Sequence, residues 1–129
     1  MAKVSACENN NPFVGRSILI VQRQWAIARE LARAFEARGA RVLSTRDAAV
    51  GLELANDPDL AAAVLDSDSA LLCRLLDKKR IPFVILSGRA QLDDACAGAT
   101  VIPKPASAAA VVASVERFLG SCVHPRIDN

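Results

Sequence analysis

The chain has 129 residues and a mass of 13.7 kDa, with 52% hydrophobic and 23% charged residues, enough apolar material to fill the core of one domain. Sixteen basic against fourteen acidic residues leave a net charge of +2, and no Lys/Arg cluster has the density that nucleic-acid binding requires. No apolar run approaches the roughly 20 residues of a membrane-crossing helix, and residues 1–11 lack the apolar segment of a secretory signal.

Residues 1–16 read as a flexible lead-in, 17–119 as one domain and 120–129 as a flexible tail. Ser17-Ile18-Leu19-Ile20-Val21 is a continuous aliphatic run, too short for a helix and suited to a strand buried on both faces. From Trp25 to Arg38, Ile27, Leu31 and Phe35 recur at helical spacing beside Ala28 and Ala32, with Arg29, Arg33 and Glu36 opposite. Gly39 follows where a left-handed cap is expected.

Arg41-Val42-Leu43 predicts a second strand, and Asp47 caps a short helix containing Val50 and Leu54 that Asp57-Pro58 ends. Ala62-Ala63-Val64-Leu65 predicts the third strand. Leu71, Leu72, Leu75 and Leu76 then form a helix face read as core, and Asp77-Lys78-Lys79-Arg80 is its solvated end. Phe83-Val84-Ile85-Leu86 is a fourth strand, followed by a helix over Gln91 to Ala97 with Gly98 as its stop. Thr100-Val101-Ile102 is a fifth strand, and Ser107 caps a last helix that turns Val111, Val112, Val115, Phe118 and Leu119 inward.

Five alternations of apolar strand and amphipathic helix define an α/β fold with a parallel sheet covered on both faces. Right-handed crossovers leave few topologies, and the usual five-strand solution is the flavodoxin-like order 2-1-3-4-5, a (βα)5 three-layer sandwich. The four cysteines, Cys7, Cys73, Cys96 and Cys122, are far apart and form no C-x-x-C pair, and His124 is the single histidine. A zinc site is therefore not implied, and the cysteines read as free thiols in a reducing cytosol.

In such a sheet ligands bind beyond the carboxyl ends of the strands. The residues found there are Gln22, Arg23 and Gln24 after strand one, Asp66, Ser67 and Asp68 after strand three, Ser87 and Gly88 after strand four, and Lys104-Pro105 after strand five. An acid, a hydroxyl and a lysine thus share one sheet edge. Singly these signals are weak: Asp-Ser-Asp-Ser is also a turn sequence rich in capping side chains, and Ser-Gly commonly ends a strand.

Together, Ile18-Leu19-Ile20-Val21, Val64-Leu65-Asp66, Ile85-Leu86-Ser87-Gly88 and Lys104-Pro105 resemble the receiver domain of two-component response regulators (the CheY-like superfamily) over about Ser17 to Leu119. The resemblance implies a bacterial, cytoplasmic phosphorelay signalling module rather than an enzyme. Asp66 would accept a phosphoryl group from a histidine kinase, Ser87 would hydrogen-bond the phosphoryl oxygen, and Lys104 would neutralise its charge. It also implies a partner surface, usable for homodimers, made of the predicted fourth helix, fifth strand and fifth helix.

The departures from the pattern concern the Mg²⁺ cofactor. Receivers carry two acidic residues after strand one that hold the metal with the phosphoacceptor, and here Gln22 and Arg23 stand in those places. Mg²⁺ takes carboxylate and water oxygens; an amide is a poor substitute and a guanidinium cannot ligate. Arg23 is either solvated or paired with Asp66 in the metal's position, and Asp68 is a weak replacement carboxylate. Val101 replaces the family's switch aromatic, Trp25 stands where proline is common, and the segment between Asp66 and Ile81 is short for the family. Trp25 reads as a packing residue or partial lid.

Two functions follow from the resemblance. One is a pseudo-receiver acting through protein–protein contact, with impaired Mg²⁺-dependent phosphorylation. The other is a working phosphoacceptor on Asp66 that serves as a phosphate relay or sink. A flavin- or nucleotide-binding module on the same fold is disfavoured, because no loop after a strand is rich enough in Gly, Ser or Thr to cradle a phosphate.

Overall fold

Continuous apolar runs become strands here because both faces of the sheet are covered. The computed structural model describes residues 13–66, 70–87, 100–103 and 107–119. Its strands are β1 (Ser17–Val21), β2 (Arg41–Thr45), β3 (Leu60–Leu65), β4 (Phe83–Ser87) and β5 (Thr100–Pro103). The described helices are α1 (Trp25–Ala37), α2 (Ala48–Leu54), α3 (Ala70–Lys78) and α4 (Ala108–Leu119). All strand pairings are parallel and the order is β2-β1-β3-β4-β5, as predicted. The helix expected over Gln91–Ala97 lies outside the described residues.

Alternation along the strands sorts the core into two layers. Ile18, Ile20, Val64, Val84 and Leu86 face α1 and α4, where they meet Leu31, Phe35, Val111 and Val115. Leu19, Val21, Leu65 and Ile85 face the other side and meet Leu72, Cys73 and Leu76 of α3. Gly51 in α2 allows a close approach to the sheet: a Cβ there would lie 3.0 Å from Val21 Cγ2 and 3.3 Å from Leu72 Cδ2.

Three predicted helix ends hold. Asp47 accepts a hydrogen bond from the Ala49 N–H at 2.8 Å, and Ser107 Oγ accepts from the Ala110 N–H at 3.1 Å. Gly39 has φ +94°, and the Ala40 N–H reaches back to the Phe35 carbonyl at 3.1 Å to close α1. Arg38 and Glu116 form an ion pair that ties α1 to α4.

Four expectations are corrected. β2 runs on through Ser44 and Thr45, because the parallel ladder pairs Ile20 with Ser44 and Val21 with Thr45 beyond the apolar stretch. Leu71 is 65% exposed: the buried arc of α3 passes through Leu72, Cys73 and Leu76, and Leu71 falls outside it. Trp25 is 62% exposed and is not a packing residue; the Arg29 guanidinium lies 5.6 Å from its ring centroid. Cys73 is not a free thiol but disulfide-bonded, with the other half of the bond outside the described residues.

Phe13, assigned by sequence to the lead-in, is fully buried. It packs edge-on against Phe35, with ring centroids 5.6 Å apart at 79°, and the Arg38 guanidinium lies 5.7 Å from its ring centroid. The described core therefore begins ahead of β1.

Candidate functional site at the carboxyl edge of the sheet

Strand register decides what meets at this edge. β1 and β3 pair Val21 with Leu65, so the residues that follow, Gln22 and Asp66, leave the sheet side by side. β3 and β4 pair Leu65 with Ile85, and β4 and β5 pair Ser87 with Pro103. The backbone of Ser87 therefore belongs to the same edge, and Lys104 follows Pro103 in sequence. Lys104 and Asp68 lie outside the described residues.

Asp66 is largely sheltered, with a side chain 12% exposed. Its Oδ2 accepts a hydrogen bond from the main-chain N–H of Arg23 at 2.8 Å. The Arg23 guanidinium is placed differently: its Nε is 3.9 Å from the same oxygen, and the side chain is 75% exposed. That separation is beyond hydrogen-bond length, so the ion pair is a loose one. Of the two expected readings of Arg23, solvated or paired with Asp66, the arrangement lies between: a mostly solvated side chain in a loose ion pair. What holds the acid in this contact is the backbone of the β1–α1 turn, through a charge-assisted hydrogen bond.

Gln22 is the residue whose burial the sequence concealed. It is fully buried, and among the described residues neither its amide oxygen nor its amide nitrogen has a hydrogen-bond partner. Its backbone is satisfied, since the N–H donates to the Thr45 carbonyl at 3.1 Å. An unsatisfied buried amide costs about 1–3 kcal/mol. The available signal was positional: Gln22 directly follows a strand buried along its whole length.

The described residues of this corner do not by themselves make up a Mg²⁺ site. The cation needs several hard oxygen donors. Among the described residues no group of three or more His, Cys, Asp or Glu side chains is placed to hold a metal. Asp66 is the only described carboxylate that the β1–β3 register brings to this corner, and Gln22 and Arg23 add an amide and a cation. Among the described residues no helix is long and apolar enough to cross a membrane.

No family model matches the sequence, and no curated protein matches it. Solved structures do. An orphan response regulator of H. pylori superposes with a TM-score of 0.71 at 19% identity, over 84% of this chain and 99% of its own. The receiver domain of the hybrid histidine kinase CckA gives 0.63 at 27% identity, over 80% and 98%. A response regulator of Burkholderia pseudomallei, solved with a phosphorylated aspartic acid and a calcium ion, gives 0.65 at 22% identity, over 83% and 70%. The chain has the flavodoxin-like fold of CheY-like response-regulator receiver domains.

Proposed function

We propose that this chain is a receiver-type module of two-component signalling that acts through protein–protein contact and is not switched by Mg²⁺-dependent phosphorylation. The observation that carries the reading is the pair Gln22 and Arg23 beside Asp66. Where the dication would need carboxylates, the chain has a buried amide and an arginine whose backbone already engages the acid. Phosphoryl transfer depends on charge neutralisation at the accepting oxygens, and a single carboxylate with these neighbours recruits no metal for it. Partners of this module are a histidine kinase or another signalling protein, or a second copy docking through the surface around β5 and α4.

A second reading keeps Asp66 as a phosphoacceptor that relays or stores phosphate, with Ser87 and Lys104 in their family roles. It is favoured by the position of Asp66 directly after β3, at the edge that β4 also reaches. Titration of the protein with Mg²⁺, with and without beryllofluoride, separates the two when Trp25 fluorescence is followed. The proposal expects no saturable response at millimolar Mg²⁺ and no heat in calorimetry. A saturable response that vanishes in Asp66→Asn overturns it in favour of the phosphoacceptor.

A further inference from the structure

The amino-terminal edge of the sheet, separated from Asp66 by about 20 Å of strand, carries a cleft of about 500 Å³. That volume is in the range of small-molecule sites. Segments leading into β1, β3 and β4 form it, and the end of α4 closes one side. Arg16, Lys79 and Arg80 line it, all three exposed, together with Asp59, Pro82 and Phe118. Asp59 is already engaged by Arg41 at 2.8 Å. Among the described residues no carboxylate is in ion-pair contact with Arg16, Lys79 or Arg80.

The plain explanation is a solvated helix end, since cations are favoured at a helix C-terminus. It accounts for the charges of Lys79 and Arg80 beside the end of α3, but neither for Arg16 nor for the backbone conformation of Arg80. Arg16 precedes β1 and belongs to no helix. Arg80 holds φ +61°, in the turn that closes α3 through Arg80 N–H to Asp77 O at 3.0 Å and Ile81 N–H to Leu76 O at 2.8 Å. Glycine fills such a position at least conformational cost. The same chain places Gly39 in the corresponding turn after α1, with φ +94°. An arginine thus stands where glycine serves the backbone better, and it lines one cleft together with two other cations.

We infer that this cleft binds a small phosphorylated metabolite of nucleoside-monophosphate size. Its phosphate would lie against Arg16 and Arg80, whose guanidinium forks suit phosphate oxygens, and against the Lys79 ammonium. Its carbon body would lie against Pro82 and Phe118, both partly buried, because the cleft is far larger than a bare anion.

The test is an NMR titration of the whole protein with adenosine 5′-monophosphate and, separately, with inorganic phosphate at low salt. The nucleotide is expected to shift the amides of Arg16, Arg80 and Phe118 saturably, with a Kd below about 1 mM. Its affinity should exceed that of inorganic phosphate about threefold or more, through hydrogen bonds of its sugar to the largely polar lining beside a small apolar contact. Arg16→Gln and Arg80→Gly should each weaken binding roughly fivefold or more, and Arg80→Gly should melt no lower than the parent. Equal affinity for the two probes overturns the metabolite assignment. Absence of saturation by about 10 mM, or unchanged affinity in Arg80→Gly, overturns the site itself. Shifts confined to the Asp66 edge also overturn it.

Discussion

The main-chain N–H of Arg23 donates to Asp66 Oδ2 at 2.8 Å, while the guanidinium Nε of the same residue stays 3.9 Å from that oxygen. The stronger contact therefore belongs to the backbone and survives any non-proline side chain at position 23. Arg23→Ala should change unfolding free energy by no more than about 0.5 kcal/mol, because a loose, largely exposed pair contributes little. Urea unfolding of the two proteins checks this. A loss above about 1.5 kcal/mol would mean that the guanidinium supports the turn itself.

Gln22 makes a sharper prediction, with the opposite sign. Its amide is desolvated and unpaired among the described residues, so folding loses water hydrogen bonds there without regaining them. Replacing the amide by a flexible apolar group of similar size removes that penalty. Gln22→Met is expected to stabilise the protein by about 1–2 kcal/mol, read as a higher urea midpoint at unchanged slope. A destabilised variant would show that the amide is satisfied in solution.

Introducing an acidic pair tests whether residues 22 and 23 set the metal affinity of this corner. In Gln22→Asp/Arg23→Asp two carboxylates join Asp66 and the guanidinium is gone. Without metal the three like charges repel, and the variant should melt below the parent. Millimolar Mg²⁺ should then raise its melting temperature, since a ligand that binds only the folded state stabilises by mass action, while the parent stays unchanged. A double variant indifferent to Mg²⁺ would place the defect elsewhere at this edge.

Much of the fold was legible because periodicity and burial carry the same information. β1 could be read from five consecutive aliphatic or small residues, and α1 from Leu31 and Phe35 with Gly39 behind them. The order of strands followed from connection rules, which leave few topologies, together with the order usual for five strands. What remained hidden depends on contacts distant in sequence. Phe13 joins the core only because α1 brings Phe35 and Arg38 to it. The exposure of Leu71 depends on which arc of α3 the sheet covers. At the site, the position of Asp66 at the carboxyl edge was readable from its place after the apolar run of β3. The preference of its carboxylate for a backbone N–H over the Arg23 guanidinium depends on turn geometry. The buried state of Gln22 was likewise invisible, since glutamine is ordinarily a surface residue.

Cys73 supplies the last prediction. Its side chain is fully buried in the layer that holds Leu72, Leu76 and Ile85, and its sulfur is disulfide-bonded. A cross-link anchored in a core helix limits the freedom of the unfolded chain, and its loss should cost about 2–4 kcal/mol. Urea unfolding with and without a phosphine reductant measures that difference. Cys73→Ala should reproduce the reduced state, apart from the added loss of a small buried group. Non-reducing peptide mapping should identify the partner among Cys7, Cys96 and Cys122. If reduction leaves the unfolding midpoint unchanged and mapping recovers Cys73 as a free thiol, the bond does not form in solution. The apolar packing around Leu72 and Leu76 would then hold this side of the sheet unaided.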